Sequence, residues 1–368
     1  MKPPNSRTAL ESLKPRACCA RFTSLLLAGL CFALTTAAGE RIKLATLAPT
    51  GSTYHKSLLD LKDAWQKLSG GAVTLVIYAD GKLGGEFDTV NLMSVNSVQA
   101  AMLTGVGLAD IEKGVAGLQS LPMGFADLTE VDHVGEKMRP TLEERLAKRG
   151  FVVLFWSDAG WVHFFSRKPV THPDDLKKLK LFTWAGNADQ VEIYKSAGYQ
   201  AIPLETADIL PSLQTGLIEA TPAPPVFALA TQIDTRAPYM LAINWAPLIG
   251  ACVIRKETWE KIPADLRARL LEAAAKAGLE IKASGRKENA DSVQAMEKRG
   301  LKVTRMTPDL EAEWRRAAEE VYTRIRGKLV QADVFDETLR LVREFRAKKR
   351  VSATPSSKRA TSSPRSAS

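Results

Sequence analysis

RIKLATLAPTGSTYHKSLLDLKDAWQKLSGGAVTLVIYAD, residues 41–80, changes its hydrophobic period twice. Arg41 to Pro49 reads as a strand that ends in the turn Thr50-Gly51-Ser52. From Thr53 to Leu68 the apolar residues Leu58, Leu59, Leu61, Trp65 and Leu68 fall close to helical spacing. Gly70 and Gly71 stop that helix, and Ala72 to Asp80 is a second strand. A strand, helix and strand in that order, continued down the chain, point to an α/β fold with a largely parallel sheet.

The same alternation continues past the glycine-rich loop GKLGGE, with a short strand near Ala100 to Leu103 and a helix from Leu128 to Arg149. FVVLFW, residues 151–156, is a nearly continuous apolar run, as a strand buried on both faces requires. WVHFFS and LKLFTW follow as separate strands, then strands near Tyr239 to Trp245 and Gly250 to Ile254. From Pro263 onward the pattern is mostly helical. Leu266, Leu270, Ala274, Ala277 and Ile281 form one apolar stripe on a segment running to about Arg299.

The 368 residues allow two domains, and 45% hydrophobic with 25% charged content suits a globular body. The first 38 residues differ in character. A basic stretch leads into the apolar run Phe22 to Leu34 and the small residues before Gly39, the layout of a secretory leader cleaved after Ala38. The apolar run falls short of the roughly 20 residues a membrane anchor needs. Cys31 follows Leu30, where a lipid-attachment signal needs a small residue. Only Cys252 remains in the mature chain, so no internal disulfide is expected.

The net charge of +10 sits at the two ends. The leader carries five positives against one negative, and residues 347–368 carry six with none, which leaves the body neutral. A neutral body lacks the basic footprint of a nucleic-acid binder. The Ser/Pro/basic stretch 347–368 has little to bury and reads as a disordered tail.

Catalytic patterns are missing from the sequence. His55, His133, His163 and His172 show no metal-ligand spacing, and there is no CxxC pair, GxSxG elbow or P-loop. GKLGGE lacks the dinucleotide fingerprint. The expectation is a protein with no catalytic residues, no metal and no cofactor.

Six segments, in order, carry a resemblance: ATLAPTGSTYHKSLLDLKDAW, YADGKLGGE, LQSLPMGF, ADLTEVDHV, HPDDLKKLKL and DILPSLQTGLIEA. Together they resemble the solute-binding receptors of TRAP transporters, the dicarboxylate-binding-protein family. The resemblance implies a two-lobed periplasmic-binding-protein-like α/β fold, with a hinge of crossing strands and long C-terminal helices. It places lobe I at 39–157 and lobe II at 158–245, with 246–346 shared between them. It also implies a periplasmic protein that captures a small-molecule ligand and passes it to the membrane permease subunits of a TRAP transporter.

The family's ligand-gripping positions are altered here. Phe182 stands where the family carries an arginine for the substrate carboxylate, Val162 where many members carry a second, and Ala223 where an asparagine would lie. A planar guanidinium fork is the natural partner of a carboxylate, so the cleft is expected to favour an apolar or amphipathic ligand. Some receptors that work with tetratricopeptide proteins are similar in lacking the arginine, which makes such a protein a further expected partner. Trp184 shares the strand face of Phe182; either aromatic can be core or pocket on pattern alone. Tyr54, Phe87 and Thr221 complete the expected ligand contacts, with Thr50 and Ser52 equally explained as turn and cap. The alternative reading is a periplasmic interaction or sensory module that docks a partner protein through the same cleft.

Overall fold

The computed structural model describes residues 39–353. β1 (Glu40–Thr46), α1 (Thr53–Leu68) and β2 (Val73–Tyr78) form the expected unit, with β1 and β2 parallel. Ser52 Oγ accepts the N–H of His55 at 3.3 Å and caps α1. Leu58, Leu61 and Trp65 are the buried face of this helix. Gly70 and Gly71, at φ 58° and 87°, reverse the chain where a side chain would be strained. α2 (Glu86–Ser94), β3 (Ala100–Thr104), α3 (Gly105–Ile111) and α4 (Leu128–Lys148) complete this half.

β4 (Phe151–Ser166) is one strand of 16 residues, where the sequence pattern suggested two. Its register against its neighbour shifts between Asp158 and Trp161, and Gly160 sits at φ 71°. The bulge bends the strand without ending it, which is why FVVLFW and WVHFFS look separate in sequence. The second half follows as α5 (Pro173–Lys177), β5 (Lys180–Trp184), α6 (Ala188–Ser196), β6 (Gln200–Leu204), α7 (Ile209–Thr215), β7 (Ala220–Ala223) and α8 (Pro225–Ala230). β8 (Tyr239–Arg255) likewise fuses two expected strands into one of 17 residues. α9 (Lys256–Glu260), α10 (Ala264–Lys298), β9 (Lys302–Arg305), α11 (Pro308–Glu319), α12 (Tyr322–Ile325) and α13 (Ala332–Ala353) end the described chain.

The nine strands form one mixed sheet in the order β2-β1-β3-β8-β4-β7-β5-β6, with β9 also on β8. β4 and β8 run antiparallel through its centre and serve both halves. The C-terminal end of β8 pairs with β3, and the C-terminal end of β4 pairs with β7. The expected lobe boundaries, 157/158 and 245/246, therefore fall inside continuous strands rather than in linkers.

α10 braces both halves. Leu270, Ala274, Ala277 and Ile281 pack with Leu58 and Trp65 in the first, while Met296 packs with Phe165 and Phe182 in the second. Gly278 lets the helix approach β4, since a Cβ there would sit 2.6 Å from the Cβ of Phe155. Asn289 ties it to the hinge: its Nδ2 donates to Ala159 O at 2.5 Å and its Oδ1 accepts the Val226 N–H at 3.0 Å.

α13 continues to Ala353, so the first residues of the stretch expected to be disordered are helical. The reason is electrostatic as well as local. Arg346 reaches Glu130 with two contacts of 2.8 Å, and one turn later Lys349 reaches Asp127 at 3.0 Å. The leader, residues 1–38, and the rest of the tail, 354–368, lie outside the described residues. Among the described residues no helix is long and apolar enough to cross a membrane. Cys252 is fully buried, and burial pushes its thiol pKa up.

Candidate ligand-binding cleft

A cavity of about 140 Å³ lies where the strand ends of the two halves meet. Its walls come from the residues after β1 (Leu47, Ala48, Pro49), the end of β3 (Met102, Leu103), the bulge of β4 (Ser157, Asp158, Ala159), and the ends of β5 and β7. Strand termini in open α/β sheets leave such crevices, because the connecting loops diverge there. The wall is mostly aliphatic or aromatic.

Four of the seven residues expected from sequence line this cavity: Tyr54, Val162, Trp184 and Ala223. Phe182 does not. It is 1% exposed and packs among Phe165, Ile209, Leu213 and Ile218. Each face of β5 buries a residue, Leu181 in one cluster and Phe182 in another, so alternation cannot say which one meets the cleft. The Phe182 ring instead backs Trp184 edge-on, with centroids 5.3 Å apart. Thr221 is also fully buried and sits opposite Phe165 in the β4–β7 ladder, away from the wall. Phe87 does not line the cavity either; its ring lies against the backbone of Gly186.

The turn residues divide as their chemistry suggests. Thr50 gives its amide and hydroxyl to the Asp80 carboxylate at 2.6 and 2.5 Å, while Ser52 lines the cavity as well as capping α1.

Two carboxylates on the wall were not legible in sequence. Glu86 is 4% exposed and accepts from the Thr104 N–H and hydroxyl, both at 2.6 Å, and from the Gly107 N–H at 2.9 Å. Burial pushes its pKa up against those hydrogen bonds. Asp158 pairs with Arg286 through contacts of 3.0 and 2.7 Å. The same guanidinium grips Asp132 at 2.8 and 2.7 Å. Burial works against the charge on Arg286, but the hydrogen bonds it donates to both carboxylates outweigh it and raise its pKa. The Tyr54 hydroxyl donates to Asp158 O at 3.4 Å, and burial first, then the charge of Asp158, pushes its pKa up. The Oγ of Ser157 is buried without a hydrogen-bond partner. Among the described residues that line the cavity there is no Lys, Arg or His.

Comparison with known proteins agrees with this architecture. The family model "Bacterial extracellular solute-binding protein, family 7" matches residues 44–328. The C4-dicarboxylate-binding periplasmic protein DctP of Rhodobacter capsulatus is 25% identical over 297 residues, covering 79% of this chain and 86% of that one. A TRAP periplasmic solute-binding protein from Ralstonia eutropha, solved with bound (S)-2-acetolactate, superposes with a TM-score of 0.77 at 20% identity, covering 83% of this chain and 99% of that one. One from Sulfurospirillum deleyianum, solved with succinate, gives 0.75 at 19% identity with the same coverage. At these identities the structural likeness speaks for the two-lobed fold alone.

Proposed function

The chain belongs to family 7 of the bacterial extracellular solute-binding proteins, the TRAP-type receptors, and we propose that it binds an uncharged apolar or amphipathic small molecule in the interlobe cleft. The observation that carries this reading is the composition of the wall: Glu86 and Asp158 are its charged groups, and no basic side chain of the described residues lines it. A carboxylate ligand would enter with no cation to receive it, at a cost of several kcal/mol. The Arg286 guanidinium is already committed to Asp132 and Asp158. An apolar ligand gains about 25 cal/mol for each Å² it buries. A dry apolar cavity of about 150 Å³ is known to hold benzene, so 140 Å³ suffices for an apolar group of that size.

In this reading Trp184, Val162, Ala223 and Tyr54 touch the ligand, Phe87 bridges the two halves, and Phe182 with Thr221 supports the wall from behind. The leader carries the chain to the periplasm, where the loaded receptor hands its solute to a TRAP-type membrane permease. No catalytic step is assigned. The characterised relatives are solute-binding proteins, so neither a tetratricopeptide partner nor a partner-docking role gains support from them.

Native mass spectrometry of the mature protein, followed by organic extraction, tests the proposal. A neutral apolar molecule that co-purifies supports it. A bound dicarboxylate or sugar acid would overturn it.

A further inference from the structure

A second cavity, of about 70 Å³, lies behind Trp184. Val162, Trp184, Pro222 and Leu248 line both this chamber and the cleft, so one layer of side chains divides the two. None of the described residues lining the second chamber is charged. Three of its polar side chains are already engaged. Gln119 Oε1 accepts the N–H groups of Gly105 and Ile249 at 3.2 and 3.1 Å, and the Tyr194 hydroxyl is hydrogen-bonded to the Trp245 side chain. Gln190 differs from these: its carboxamide oxygen is buried with no partner. A buried acceptor without a donor is costly, and native structures rarely keep one without a reason.

We propose that this chamber is the far subsite of the ligand, and that it takes a hydroxyl or amide N–H donated to Gln190. The inference rests on the apolar-cleft reading above and adds a shape and a polarity to it. The ligand is an elongated neutral amphiphile. Its apolar body fills the cleft, and its donor-bearing end passes Trp184 to reach Gln190. Trp184 is the partition that must turn aside. It is half-buried and stands two residues before Gly186, which turns the chain at φ 81°. Both chambers lack basic side chains, so an anionic head group finds no partner in either.

Titration of the delipidated protein with 1-octanol, its methyl ether and octanoate, followed by tryptophan fluorescence, tests the subsite. The alcohol is expected to bind about tenfold tighter than the ether, the weight of one hydrogen bond, with octanoate weaker than both. Gln190→Leu should abolish the preference for the alcohol and leave the ether unchanged. Ala317→Leu, on the chamber wall in α11, should weaken the alcohol by a similar factor with the cleft itself intact. Equal binding of alcohol and ether to the wild type, or indifference to both substitutions, overturns the subsite and leaves the apolar cleft standing. Tight octanoate binding, or no binding of either neutral probe, overturns both readings.

Discussion

The ring of Phe87, at the start of α2, lies against the backbone of Gly186 in the turn after β5, so closely that a Cβ at position 186 would sit 2.6 Å from its Cδ2. One residue belongs to the first half of the molecule and the other to the second, so their contact bridges the two halves. Lys113 and Asp189 meet alongside at 2.9 Å, again from opposite halves. An exposed ion pair of this kind adds little. The close aromatic contact is the better candidate for holding the halves together around a ligand.

Gly186→Ala should prop the two halves apart. The added methyl meets the Phe87 ring, and the positive φ costs about 1 kcal/mol more for alanine than for glycine. Ligand affinity is expected to fall about tenfold or more, with a larger radius of gyration in solution scattering. Phe87→Ala should lower affinity without the backbone strain. Unchanged affinity in both variants would remove this contact from any role in closure.

Arg286→Met should destabilise the fold by about 3 kcal/mol or more, because Asp158 is left buried without its counter-charge. Adding Asp158→Asn to that variant should restore part of the loss, since it removes the stranded charge. Urea unfolding of the wild type and the single and double variants measures this. A double variant no more stable than Arg286→Met contradicts the argument.

His163 predicts a loss of stability in mild acid. Burial pushes its pKa down to about 4, while its Nδ1–H donates to Ile243 O at 2.7 Å. The unfolded chain takes up a proton near pH 6.5 and the folded protein does so only near 4, so stability falls as pH drops through that window. The full effect is up to about 3 kcal/mol and levels off below the folded value. Melting temperatures between pH 7.5 and 4 should fall less steeply for His163→Gln than for wild type. Parallel curves would show that the ring is charged in the fold.

The two altered arginine positions should respond differently to restoration. Phe182→Arg places a guanidinium in a packed core and should cost at least about 3 kcal/mol without creating a carboxylate site. Val162→Arg points a cation at the cavity wall and should give measurable succinate binding by calorimetry, with loss of any apolar ligand. Succinate binding by Phe182→Arg with unchanged stability would mean that position 182 faces the cleft after all.

The parts legible in sequence were those whose causes are local. Helical spacing and the paired glycines set out α1 almost to the residue, and the alternation in LKLFTW correctly put Phe182 and Trp184 on one face. Alternation could not decide how deep each would sit, because both faces of β5 are covered, Leu181 packing in one cluster and Phe182 in another. The continuity of β4 was hidden by its own bulge, since Asp158, Ala159 and Gly160 resemble a turn. Glu86 and Asp158 could not be found at all. Their partners, Thr104, Gly107 and Arg286, lie 18, 21 and 128 residues away.

The two central strands also govern how this molecule must be made. β3 can acquire its inner neighbour only when β8 arrives, and β8 is drawn from the far side of the whole second half. Until Gly250 to Arg255 have been synthesised, the β2-β1-β3 ribbon has an open edge and β4 has no partner to separate it from that ribbon. Pairing at such sequence distance is slow, and it leaves apolar strands unpaired in the meantime. The first half cannot complete its share of the sheet before the second has been made. The β2-β1-β3 and β4-β7-β5-β6 groups therefore join into one sheet only when this last central strand is in place.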